Sequence, residues 1–175
     1  MAWLRGMLAI ALVVTALLVE LTAVPLFHLP GATPDVIAVT VIALGFVGGP
    51  IRGAATGFLA GVLLDLAPPS AGVLGLSAVV FVIAGYVAGM LGAERERGAF
   101  TTVGITGLLA AGTTLGIALV GGLVGDPRIA WDRVPGLLLT QLAYSLVVAA
   151  FVVPLVTVLW RRVDPPTSRY ELGRQ

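Results

Sequence analysis

Three carboxylates lie within or beside long apolar runs, and they are the residue types best suited to chemistry. They are Glu20 in the first run, Asp35 in Thr33-Pro34-Asp35, and Asp65 in Gly61-Val62-Leu63-Leu64-Asp65. Paired acids of this kind serve as general acid and base when a nucleophile or a metal shares their site. Few partners are on offer here. The chain has no cysteine, no lysine and a single histidine, His28, which removes thiolates, disulfides, a phosphate-loop lysine and multi-histidine metal centres together. His28 stands alone in a turn and reads as an interfacial polar residue rather than a ligand. No catalytic residue, cofactor or metal is expected.

Each acid also has a local reading. Thr33-Pro34-Asp35 is a well-formed helix start: Thr33 can cap, Pro34 suits the first helical position, and Asp35 sits where the helix dipole favours a negative charge. Glu20, about 25 Å along its helix from Trp3 at 1.5 Å per residue, reads as a side chain snorkelling to the headgroups. Asp65 is harder to explain, because a carboxylate at a helix C-terminus opposes the dipole. It calls for a specific donor, with Ser70, Ser77, Gln141 and Arg133 as candidates. Catalysis by Asp35 and Asp65 is not expected. The Gly-x-Gly-Asp setting of intramembrane aspartyl proteases and the clustered aspartates of CDP-alcohol transferases are both absent from the sequence.

The acid at position 65 also ends a glycine series. Glycines recur at 45, 49, 53, 57 and 61, and Asp65 takes the next place. A four-residue step keeps residues on one slowly drifting helix face, so Gly53, Gly57 and Gly61 form a groove that another backbone can approach. Gly85-x-x-x-Gly89, Gly112-x-x-x-Gly116 and Gly121-x-x-x-Gly125 are shorter versions of the same device. Whether the long groove serves the chain's own bundle or a partner protein is left open at this level.

The elements that carry these residues follow from composition. The chain has 175 residues, 58% of them hydrophobic and 11% charged, with a mean hydropathy of +1.06, which points to an integral membrane protein rather than a soluble domain. A crossing needs roughly 20 apolar residues. Six helices are predicted: Trp3 to Leu26, Pro34 to Gly48, a third that follows a tight turn at Gly49-Pro50-Ile51-Arg52 and ends near Asp65 to Ala67, Val73 to Leu91, Phe100 to Val124, and Pro135 to Trp160. Residues 1–160 then form one six-helix transmembrane domain, and 161–175 form a disordered cytoplasmic tail. A signal peptide cleaved near Ala23 is a poorer reading of the first run, since Glu20 and Pro25 suit a cleavage region badly.

Arginine placement sets the orientation. With six crossings Arg5, Arg52, Arg95, Arg97, Arg161, Arg162, Arg169 and Arg174 share one side, while Arg128 and Arg133 share the other, so both termini are expected in the cytoplasm. A net charge of +1 offers nothing for nucleic acid. Trp3, Trp131 and Trp160 fall at predicted boundaries, as an aromatic belt would place them.

Across helices 2 to 4 the chain reads Pro34-Asp35-Val36-Ile37-Ala38-Val39, then Gly48-Gly49-Pro50-Ile51-Arg52-Gly53 through Gly57, Gly61 and Leu64-Asp65-Leu66. Pro68 to Leu76 follow, and then Gly85-Tyr86-Val87-Ala88-Gly89. This pattern resembles the MreD family, the small membrane subunit of the bacterial rod-shape machinery or elongasome. The resemblance covers residues 30 to 92, and helices 1, 5 and 6 match mainly in hydropathy and length. It implies a non-enzymatic scaffold in the bacterial plasma membrane, acting with MreC and through it with MreB filaments, the RodA glycosyltransferase and a class B penicillin-binding protein. It also implies a compact six-helix fold similar to the substrate-binding S-components of energy-coupling-factor transporters. Pro34, Asp35, Gly57, Gly61 and Asp65 carry over as family-pattern positions, without individual roles. The competing expectation is a small-solute S-component. That would require polar and aromatic groups such as Asp35, Asp65, Ser77, Gln141, Tyr144 and Trp131 to converge on one cavity.

Overall fold

The computed structural model describes residues 2–27, 31–67, 74–92, 98–126 and 130–164. Within them lie six α-helices: α1 (Ala2–Thr22), α2 (Val36–Gly48), α3 (Pro50–Leu66), α4 (Leu76–Leu91), α5 (Ala99–Val124) and α6 (Val134–Val163). The first predicted helix is shorter than expected: α1 stops at Thr22, and a 3-10 turn, Val24–Phe27, holds Pro25, which cannot donate to a continuing helix. The expected tail begins later, since α6 runs through Arg161 and Arg162 to Val163. Residues 165–175, His28, Ser70, Arg95, Arg97 and Arg128 lie outside the described residues.

Three helices are long and apolar enough to cross a membrane: α1 with its following turn, α5 and α6. The other three are shorter, at 13, 17 and 16 residues, or about 20 to 26 Å against a hydrocarbon core of about 30 Å. The arrangement is compatible with a helical membrane bundle. It supports six helices without assigning a full crossing to each.

The short α2 stands at the centre and packs against each of the other five helices. Its sequence is apolar on every side, and the nine residues from Ile37 to Gly45 are all buried, as an enclosed helix requires. Its one hydroxyl, Thr40, donates to the Val36 carbonyl at 2.8 Å. Thr15, Thr22, Thr56, Thr106 and Thr157 satisfy themselves in the same way, each on the carbonyl four residues back. No polar partner outside the helix is then needed.

The seam between α3 and α4 is made of small residues, although α4 also buries Leu76, Val80 and Phe81, and both helices turn large apolar side chains outward. On α3 the buried face is Gly53, Gly57, Ala60 and Gly61, while Ile51 is 81% exposed and Phe58 and Leu66 also face outward. On α4 the buried set includes Ala78, Ala84, Gly85, Ala88 and Gly89, with Val79, Ile83 and Met90 outside. Elsewhere Phe100 is 95% and Leu123 88% exposed. In water such surfaces would leave several hundred Å2 or more of contiguous apolar area uncovered. In lipid they cost nothing, and helix association then relies on close van der Waals contact between small residues.

Added methyl groups measure that closeness. A Cβ at Gly53 would strike the Gly85 carbonyl, one at Gly57 the Phe81 carbonyl, and one at Gly61 the Ala78 backbone, whereas Gly104 and Gly112 on α5 face open space. Gly57→Ala should therefore lower stability by about 1–3 kcal/mol, the usual cost of overpacking. Gly112→Ala should raise it by up to about 1 kcal/mol through helix propensity. Thermal unfolding of both variants in detergent is the measurement, and equal midpoints would rule out backbone contact at the α3–α4 seam.

Candidate functional site

The polar centre of the molecule is the N-terminus of α2. An α-helix leaves its first N–H groups without internal partners, and here the helix is surrounded by protein. Asp35 is its N-cap, and one carboxylate oxygen accepts from the Ala38 N–H at 2.6 Å. The next donors are taken by a residue from another helix. Glu20, in the last turn of α1, accepts from the Ile37 N–H at 2.9 Å and also from the Val36 N–H. Glu20 therefore does not snorkel, as its sequence position suggested. It turns inward because two unsatisfied donors and the positive end of the α2 dipole are within reach.

The two carboxyl groups are close enough to repel. The Thr113 hydroxyl of α5 hydrogen-bonds Asp35 and lies 2.6 Å from the Ala110 carbonyl, so its single proton serves one oxygen or the other. Thr113 is roughly three turns before the end of α5. The start of α2 is thus level with the last turn of α1 and with a point about three turns inside α5. The segment leading into α2 meets α6: the Ala32 N–H donates at 3.0 Å to the Thr140 hydroxyl, about two turns into α6.

Asp65 has a different task. Its Oδ2 accepts from the Gly75 N–H at 2.7 Å, a backbone donor that the sequence did not single out, and Ser70 lies outside the described residues. Gly75 has φ +93°, a left-handed conformation that glycine adopts without penalty, and is the residue from which α4 starts. Asp65 thus ties the end of α3 to the beginning of α4. Asp35 and Asp65 serve separate contacts, and the pairing considered for catalysis is not among them.

The predicted packing residues fall into one seam. Gly53, Gly57 and Gly61 meet α4, Gly85 lies against Gly53, and Gly89 against Gly49 and Pro50. The groove left open by sequence faces inward. Pro34 is buried beside Asp35 at the head of α2. Sequence reasoning missed Glu20 as a cap for another helix and Thr113 as a partner of Asp35. The available signal was an acid fifteen residues before Asp35, inside an apolar run where a lone charge needs a partner.

At the opposite end Arg5 donates to Asp164 at 2.7 Å, with both side chains largely buried. Trp160 is only 5% exposed and packs against Gly48, so it belongs to the core and not to an aromatic belt. Trp3 and Trp131 are exposed. Three cavities between helices are lined mainly by apolar side chains. One of about 220 Å3 lies between α4 and α5 beside Val80, Leu109 and Gly112, and one of about 470 Å3 lies between α3 and α4 beside Phe58, Leu66 and Ile83. A third, of about 270 Å3, includes Thr114 and Arg133. None of the three is lined by Asp35, Asp65, Ser77, Gln141, Tyr144 or Trp131. No group of three or more metal-ligating side chains occurs among the described residues. No known family model matches the chain, and no curated protein matches it either.

The capping arrangement makes a graded prediction. Glu20→Ala strips an acceptor from two donors and should cost about 1–3 kcal/mol, and Asp35→Ala about 0.5–2 kcal/mol. The double variant Glu20→Gln with Asp35→Asn keeps the acceptors and removes the repulsion, so its unfolding midpoint should equal or exceed that of the native chain. A midpoint as low as that of Glu20→Ala would show that charge, not hydrogen bonding, holds α2.

Proposed function

We propose that this chain is a multi-pass membrane scaffold without enzymatic activity. It resides in the bacterial plasma membrane with both termini in the cytoplasm. In this reading it is an MreD-like subunit of the elongasome, supporting peptidoglycan synthesis and cell shape through association with MreC, and through MreC with MreB, RodA and a class B penicillin-binding protein. The observation that carries the proposal is the use made of the acids. Glu20 and Asp35 hold the head of the central helix, and Asp65 holds the start of α4. A catalytic carboxylate must be aimed at a substrate, whereas each of these accepts from at least one backbone N–H group.

The same observation weighs against a solute-binding S-component. The polar groups such a site would recruit do not share any of the three apolar cavities. The outward surface of large apolar side chains suits a protein whose contacts are with lipid and with other membrane helices. The partners themselves come from the resemblance over residues 30 to 92 and from nothing else.

Affinity purification of the full-length chain from native membranes separates the two. Co-purification of MreC and wall-synthesis proteins is the expected result. Recovery of a transporter ATPase pair, or of a stoichiometric vitamin with the purified protein, would replace the scaffold by the transporter.

A further inference from the structure

Arg133 is a cation in a place that local structure does not explain. It is the N-cap residue of α6 and its side chain makes no capping bond, while the positive end of a helix dipole repels a cation. The ion pair present among the described residues joins Arg5 to Asp164, and none joins Arg133 to Asp126 or Asp132. The acids outside the described residues are remote in sequence: Glu94 and Glu96 precede α5 and Glu171 follows α6, so each adjoins the helix end farther from Arg133.

The arginine borders a cavity. About 270 Å3 between α5 and α6 has aliphatic walls from Ile117, Ala118, Val134 and Leu137, with Thr114 and Arg133 as its polar members, and neither Asp126 nor Asp132 lines it. Leu137 follows Arg133 by one turn, about 6 Å along α6, so the charged residue leads directly into the aliphatic wall. Thr114, Ile117 and Leu137 are half-buried and Arg133 is exposed, which leaves the cavity open to the surroundings of the bundle. In a bilayer no water is at hand to fill such a gap. Its volume falls below the about 300–1,000 Å3 of pockets that enclose a drug-sized solute, and it suits a single hydrocarbon chain. Trp131, itself exposed, lies against Gly122, one turn beyond Ala118 on α5. An exposed indole beside a cation is what a headgroup layer favours.

We propose that the α5–α6 cavity seats one acyl chain of an anionic phospholipid whose headgroup phosphate is bound by Arg133. A guanidinium group engages two phosphate oxygens at once, and the phosphate supplies the negative charge that the start of α6 lacks. The site rests on the membrane embedding described above and not on the scaffold role.

The test is thermal unfolding of the purified full-length chain in nonionic detergent micelles, titrated with phosphatidylglycerol. Expected is a saturating rise in midpoint that weakens with added sodium chloride and whose half-saturation shifts by about fivefold in Arg133→Gln. Thr114→Phe, which fills the cavity and leaves the charge in place, should abolish the rise. Arg52→Gln, on α3 and outside the cavity, should keep it whole. Should Thr114→Phe not fold, the shift in Arg133→Gln decides alone. A native titration in Arg133→Gln, the same rise from inorganic phosphate, the same rise from an uncharged diacylglycerol, or no rise in the native chain would each overturn the site. A dimer seen by light scattering that Arg133→Gln dissolves would seat a second copy of the chain on the cavity and also overturn it. Vesicle flotation distinguishes the underlying reading: a chain that fails to float with neutral vesicles refutes membrane embedding, whereas one that floats but ignores phosphatidylglycerol refutes only the lipid site.

Discussion

The central helix cannot reach water, and that constraint shapes the molecule. Five helices surround α2, so the N–H groups of its first turn must find acceptors within the chain. A single N-cap side chain satisfies one or two of them. Here Asp35 serves Ala38 and Glu20 serves Ile37, at the expense of placing two carboxyl groups near each other. The positive end of the α2 dipole, together with the Thr113 hydroxyl, is what makes that proximity tolerable. Because Glu20 belongs to α1 and Thr113 to α5, satisfying one helix end also fixes the positions of two others.

Burial of α2 in turn demands thin neighbours. A short helix wrapped by five others needs those around it to approach closely, and α3 and α4 manage this by presenting glycine to each other. Gly53 and Gly85 meet backbone to backbone, as do Gly57 and Phe81. Gly45 of α2 meets the Gly85 carbonyl at the same place, so the four-residue glycine rhythm runs through two helices and closes a three-helix junction. Asp65 then fastens the far end of the α3–α4 hairpin through Gly75, and Arg5 with Asp164 fastens α1 to α6.

Much of this architecture was legible in the sequence. The glycine spacing showed a face for close approach, Thr33-Pro34-Asp35 marked the start of α2 to within a residue or two, and hydropathy located all six helices. The face's direction was not legible, because a glycine stripe looks the same whether a helix of the same chain or of another lies against it. The partners of the acids were not legible either. Local pattern could not show that Glu20 caps another helix or that Thr113 of α5 meets Asp35. Trp160 misled for a related reason: an aromatic near a helix end fits an interfacial belt by position alone, but the space beside Gly48 admits its ring.

The inward use of the glycine groove changes what a partner could recognise. Since α3 and α4 spend their small residues on each other, the surface they leave is Ile51, Phe58, Leu66, Val79 and Ile83, which is bulky and apolar and suits acyl chains as well as it suits another helix. Open helical glycines lie elsewhere, at Gly104 and Gly112 on α5, Gly6 on α1 and Gly136 on α6. Close helix association in lipid depends on small residues at the contact, so a partner helix that docks tightly has better access to these positions than to the face singled out by sequence. The residues that most resemble a family pattern are then those that build the bundle.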